Sequence, residues 1–139
     1  MRRLVTPTFL AIAGAVAAAI GAAILFAPHS FFAANHIMLG TDPNLMSEIR
    51  APGGLLLVAG VFVIAGAFIS RLTRVSLMVA AIGFGAYGAS RLVSVALDGV
   101  PSSALLSAMV VELVLALLAL VLIIGQQRRT ASNVKGYVS

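Results

Sequence analysis

The chain has 139 residues, 61% of them hydrophobic and 9% charged, with a mean hydropathy of +1.13. Soluble domains carry about 25% charged residues, so a sequence this poor in charge cannot clothe a water-facing surface. The net charge of +5 comes from basic residues that flank apolar runs, without the interleaved aromatics of a nucleic-acid face, and the lack of cysteine excludes disulfide exchange and thiolate metal sites.

The first apolar run extends from about Leu4 to Ala27. At about 1.5 Å per residue it crosses the ~30 Å of a bilayer core. Arg2 and Arg3 precede it and Ala17 to Ala19 are small, as in a secretory signal. Its apolar core exceeds the ~7–15 residues of such a signal, which predicts an uncleaved first helix. The segment from Pro28 to Ser47 is the one sizeable loop. Phe31 and Phe32 suit a membrane interface there, and His29 and His36 read as surface histidines, since two ligands do not make a metal or haem site. Asp42-Pro43 reads as a helix cap followed by a first-turn proline, so the second span begins at Pro43 or Ile49 and runs to Ile69. Within it Pro52 frees the carbonyl of Glu48, and Gly53 and Gly54 permit close backbone approach.

Ser70 to Arg74 is a tight turn before a third span from Val75 to Leu97. Asp98 to Ser103 is a second tight turn, in which Gly99 stops the third helix and Pro101 is expected in the first turn of the fourth. The fourth span covers about Ala104 to Gly125, its helix starting as early as Ser102, and a polar, unstructured tail is expected over residues 128–139. Alternation of period two is absent, which argues against a β-barrel. The predicted fold class is therefore all-α: an integral membrane four-helix bundle forming one domain over residues 1–127. Small residues recur at Gly14, Ala18 and Gly21 and at Gly83, Gly85 and Gly88, as in tightly packed membrane helices.

Lys and Arg near helix ends set orientation. With the N-terminus cytoplasmic, that side holds Arg2, Arg3, Arg71, Arg74, Arg128, Arg129 and Lys135, seven of the nine basic residues. Both termini are thus expected in the cytoplasm.

Glu112 lies about 12 Å along the fourth helix by helical rise. A charge at mid-span costs about 2.5–3.5 kcal/mol on insertion scales, and such acids face partners or water. Eight leucines in that helix offset the cost at about 0.3–0.6 kcal/mol each. Arg91 is the natural partner. The short turn makes helices three and four antiparallel neighbours, and Tyr87, Arg91, Ser94 and Asp98 share one face that descends toward the depth of Glu112. Glu48 and Arg50 open the second helix at the same level. The polar intramembrane cluster is therefore Glu48, Arg50, Tyr87, Arg91, Ser94, Asp98 and Glu112, with one net negative charge if all its acids and bases ionise. Two readings fit it: an ion-pair network that specifies the fold, or a ligand or ion site.

These residues also carry a resemblance. The E-I-R-A-P-G-G segment from Glu48 to Gly54, S-R-L-V-S with D-G-V-P between Ser90 and Pro101, and Glu112 resemble a family of short bacterial four-helix membrane proteins known only as a domain of unknown function, related to the broader DoxX-like group. The resemblance spans Leu4 to Gly125 and implies a multi-pass protein of the bacterial cytoplasmic membrane. DoxX-like relatives are associated with redox or respiratory partners; where that relies on cysteines, this chain departs from it.

Nucleophile elbow, phosphate loop and dinucleotide fingerprint are missing, so no catalytic, cofactor-binding or metal-binding residues are expected. The leading expectation is a non-enzymatic accessory or scaffold component of an inner-membrane complex. Its partners would be the lipid bilayer and a membrane protein or a second copy of the chain, with no nucleic acid. A small proton-coupled or solute transporter built on Glu112 and Arg91 is the alternative, and it would need a parallel homo-oligomer, because the charge bias forbids dual topology. A lipid- or quinone-binding enzyme is the third.

Overall fold

The computed structural model describes the backbone of residues 2–136 and the side chains of residues 4–127. The elements are α1 (Arg2–Phe26), α2 (Pro28–Ala33), α3 (Pro43–Phe68), α4 (Thr73–Asp98) and α5 (Ser103–Gly136), with no strand among the described residues. All but α2 are long and apolar enough to cross a membrane. The protein is an all-α, multi-pass membrane protein. The side chains of Arg2, Arg3, Arg128, Arg129 and Lys135, which carry most of the orientation signal, lie outside the described residues, as do residues 137–139 of the expected tail.

Three local features differ from the sequence expectation. The Pro28–Ser47 loop contains a helix. Pro28 sits in the first turn of α2, where its missing N–H is no loss. Three residues after the helix, His36 takes the left-handed conformation (φ 62°), its N–H bonding Ala33 O while Ile37 N–H bonds Phe32 O. This is the paired closure of a Schellman motif, with histidine where glycine is usual. Second, Pro101 stands before α5 rather than in its first turn: the carbonyl of Ser102 accepts the first helical bond, from Leu106 N–H. Third, α5 continues to Gly136. From Gln126 to Lys135 there is no proline or glycine to break the helix, so it propagates beyond the apolar run.

Other signals act as read. Asp42 Oδ1 accepts the N–H groups of Asn44 (2.9 Å) and Leu45 (3.0 Å), with Pro43 following as the first helical residue. Gly99 ends α4 at φ 98°, open to glycine without strain.

The bundle consists of two tight helix pairs. The α1–α3 pair is antiparallel and backbone-close. A Cβ on Gly14 would stand 2.7 Å from the carbonyl oxygen of Gly60, and one on Gly21 would stand 2.7 Å from that of Gly53. Each helix thus repeats glycine every seventh residue on the face it gives the other, the geometry of small-residue membrane packing. The α4–α5 pair meets where Gly88 leaves room for Leu113. The two pairs join mainly through α3 and α4, while α5 packs essentially on α4.

That junction lies near the Ile69–Leu72 turn. Ser76 is fully buried against Gly66, and Leu10 of α1 reaches the same point. Ser76 Oγ donates to Phe62 O (3.1 Å), and Thr73 Oγ1 donates to Gly66 O (2.9 Å), one of the carbonyls left orphaned at the end of α3. Leu10, Leu77, Val63 and Ala119 close this half of the bundle. Toward the other end, which carries α2 and the Gly99 turn, the pairs diverge around a cavity.

Candidate functional site

The divergence leaves a cavity of about 560 Å³ bounded by all four long helices and by α2. Its walls are apolar: Ile20 and Ile24 of α1, Leu56 and Val63 of α3, Phe84 of α4 and Leu105 of α5. Phe31, Phe32 and Ile37 line it from α2 and the turn that follows, so the Schellman closure aims apolar side chains at the void. Phe31 and Phe32 pack edge-to-face, ring centroids 5.5 Å apart and planes at 82°.

The polar lining is small and converges from different helices: Glu48 of α3, Tyr87 and Arg91 of α4, Glu112 of α5, and Asn35 beyond α2. Glu112 lies about 13 Å into α5 and Arg91 about 10 Å back from the end of α4 by helical rise. The antiparallel turn brings them together, with Arg91 Nε donating to Glu112 Oε2 at 2.8 Å. The side chains are 32% and 13% exposed respectively, so the pair stands in the cavity wall rather than in the packed core. Among the described residues only Nε of the guanidinium is used, and no hydrogen bond or ion pair engages its two terminal amino groups. The Tyr87 hydroxyl and the Glu48 carboxylate likewise have no hydrogen-bond or ion-pair partner among the described residues.

The seven cluster residues therefore separate by position. Glu48, Tyr87, Arg91 and Glu112 line the cavity. Arg50 does not: its Nη1 donates to the carbonyl of Leu25 in the last turn of α1, where a helix end presents unpaired carbonyls and favours a cation. Ser94 and Asp98 share the face of Arg91 but stand nearer the Gly99 turn, beyond the cavity, and bond each other at 2.9 Å. Of the two histidines, His29 Nε2 lies 3.3 Å from Gly40 O in the loop, and His36 forms the turn after α2.

Sequence reasoning missed the α2 contribution and the cavity itself. Pro28 before a Phe-Phe pair was the available signal for a short apolar helix. Among the described residues no group of three or more His, Asp or Glu is arranged to hold a metal ion.

No curated protein and no solved structure matches the chain. A family model described as a domain of unknown function, DUF4345, matches residues 5–123, which takes in α1 to α4, most of α5 and every polar residue of the cavity. The chain belongs to the DUF4345 family.

Proposed function

We propose that the protein is a non-enzymatic membrane component that holds a single-tailed amphiphile, with its tail among the apolar walls and its head at the Glu48–Tyr87–Arg91–Glu112 end. The observation that carries this reading is the cavity. Ligand sites run to about 300–1,000 Å³, mostly apolar with a few convergent polar groups, and this one has about 560 Å³ with its polar groups gathered in one half. At about 30 Å³ for a water-sized group, that volume takes on the order of twenty non-hydrogen groups, enough for one tail and a compact head.

The closed half favours holding over conduction. Leu10, Leu77 and Ala119 pack the bundle shut beyond the cavity floor, so a carrier would have to break a fully buried region to open the other side. An accessory role in a larger assembly of the bacterial cytoplasmic membrane, respiratory in the DoxX-like analogy, accords with small-residue helix faces suited to packing. Both termini then face the cytoplasm, by the distribution of Lys and Arg.

The test uses Gly83, which lines the cavity and has nothing within 4 Å of where its Cβ would stand. Gly83→Leu should push four carbons into a void sized for about twenty groups without disturbing the bundle. Native mass spectrometry from mild detergent should find one bound amphiphile on the wild-type chain and a lower occupancy on the variant, both eluting as folded protein. A wild-type chain that carries nothing, or a variant that carries as much, would end this reading.

A further inference from the structure

Resting on that reading, the charge balance of the cavity specifies the head group. Arg91 and Glu112 neutralise each other. Arg50, the only other Arg or Lys near this level among the described residues, is turned away to the Leu25 carbonyl and lines no part of the cavity. Glu48 remains, an acid in the cavity lining with no partner among the described residues, so the lining carries one net negative charge when its acids and base are ionised. His29, His36, Asp42 and Asp98 do not line it.

We infer that the ligand's head is a protonated amine, received by the Glu48 carboxylate beside the aromatic faces of Phe31, Phe32 and Tyr87. Three observations converge on it. An ammonium neutralises the one unpaired charge of the lining, whereas an anionic head would meet the Glu48 carboxylate and an alcohol would leave it without a counter-ion. The polar lining offers acceptors in the Glu48 carboxylate, the second Glu112 oxygen and the Asn35 amide oxygen, with the Tyr87 hydroxyl able to accept as well as donate, beside the Arg91 amino groups as donors. The ring faces that line the same region attract a cation as well as an alkyl chain. Arg91 on this view positions Glu112 and keeps the deeper carboxylate neutralised, so that the amine is drawn to Glu48.

The experiment is competition binding on the full chain in mild non-ionic detergent. Tritiated hexadecylamine is displaced by unlabelled hexadecylamine, hexadecanol or hexadecanoate, which share a tail sized to the cavity. The amine should displace a few-fold better than the alcohol, as a charge pair at an exposed carboxylate implies, with the carboxylate weakest. Glu48→Gln, a near-isosteric change at an exposed position, should narrow the amine-to-alcohol ratio by about the same factor while the protein still elutes as wild type. Equal affinities, or a ratio untouched by Glu48→Gln, would overturn the amine while leaving the amphiphile site standing. Preference for hexadecanoate would overturn it in favour of Arg91 as an anion site. If no tail binds saturably, the inference and the function it rests on both fail.

Discussion

Gly60→Ala should weaken the whole fold, although it adds a single methyl group. The added Cβ would stand 2.7 Å from the Gly14 carbonyl oxygen and 2.8 Å from Ala18 Cα, against the 3.4 Å at which ordinary contact begins. These are backbone atoms of the facing helix and cannot rotate aside. Ala18 N stands nearer still, so the α1–α3 pair must separate by about 0.7–1 Å, and a gap of about 0.5–1 Å forfeits a quarter to a half of each dispersion well of about 0.1–0.2 kcal/mol. Over the few dozen atom pairs along such a seam the loss is about 2–3 kcal/mol, inside the range of about 1–3 kcal/mol for overpacked cores. Alanine returns at most about 1 kcal/mol in helix propensity, leaving a net loss of about 1–2 kcal/mol. Gly54→Ala is the control. Nothing lies within 4 Å of its Cβ position, so it should be neutral or stabilising by up to about 1 kcal/mol. SDS titration in mixed micelles, read by energy transfer between dyes on two introduced cysteines, measures both, and the chain has no native cysteine to interfere. A Gly60→Ala protein as stable as wild type, or a Gly54→Ala protein equally damaged, would refute the backbone-contact account.

The Arg91–Glu112 bond gives a second prediction. Removing one partner of a fully buried pair costs about 3–5 kcal/mol; with Arg91 32% exposed, Arg91→Leu and Glu112→Leu should each lose roughly half of that, and the double variant should recover part of it. Additive losses in the same SDS titration would show that the two residues do not couple. Topology gives a third. Cysteines introduced at Ala34 and at Ser132 should be labelled by an impermeant reagent from opposite faces of the membrane, and external labelling at position 132 in intact cells would invert the proposed orientation.

The parts legible in the sequence were those set by the bilayer. Four long apolar runs have no alternative in hydrocarbon but to become helices. The Arg91–Glu112 contact was legible because each charge is costly alone and a four-residue connection, Gly99 to Ser102, fixes the two helices side by side. The cavity was not legible. A void is what remains after side chains of particular volume are placed on helices of particular divergence, and no periodicity encodes it. Arg50 was misleading for a related reason. On the sequence it is a charge at the right level, but which way it turns depends on the end of α1 packing beside α3, a contact between residues 25 positions apart. The helix α2 escaped notice because a six-residue element is too short to show a period.

Biosynthesis meets the Arg91–Glu112 bond before any cavity exists. α4 leaves the ribosome carrying a guanidinium whose counter-ion lies 21 residues later. Entering the bilayer singly, α4 and then α5 would each bear a charge costing about 2.5–3.5 kcal/mol at mid-span. Entering together, as a preformed antiparallel hairpin, they carry a neutral pair. The bond thus favours joint insertion of α4 and α5, whereas α1 and α3, held by glycine contacts and by the Arg50–Leu25 bond, carry no such ion pair between them and can insert one after the other.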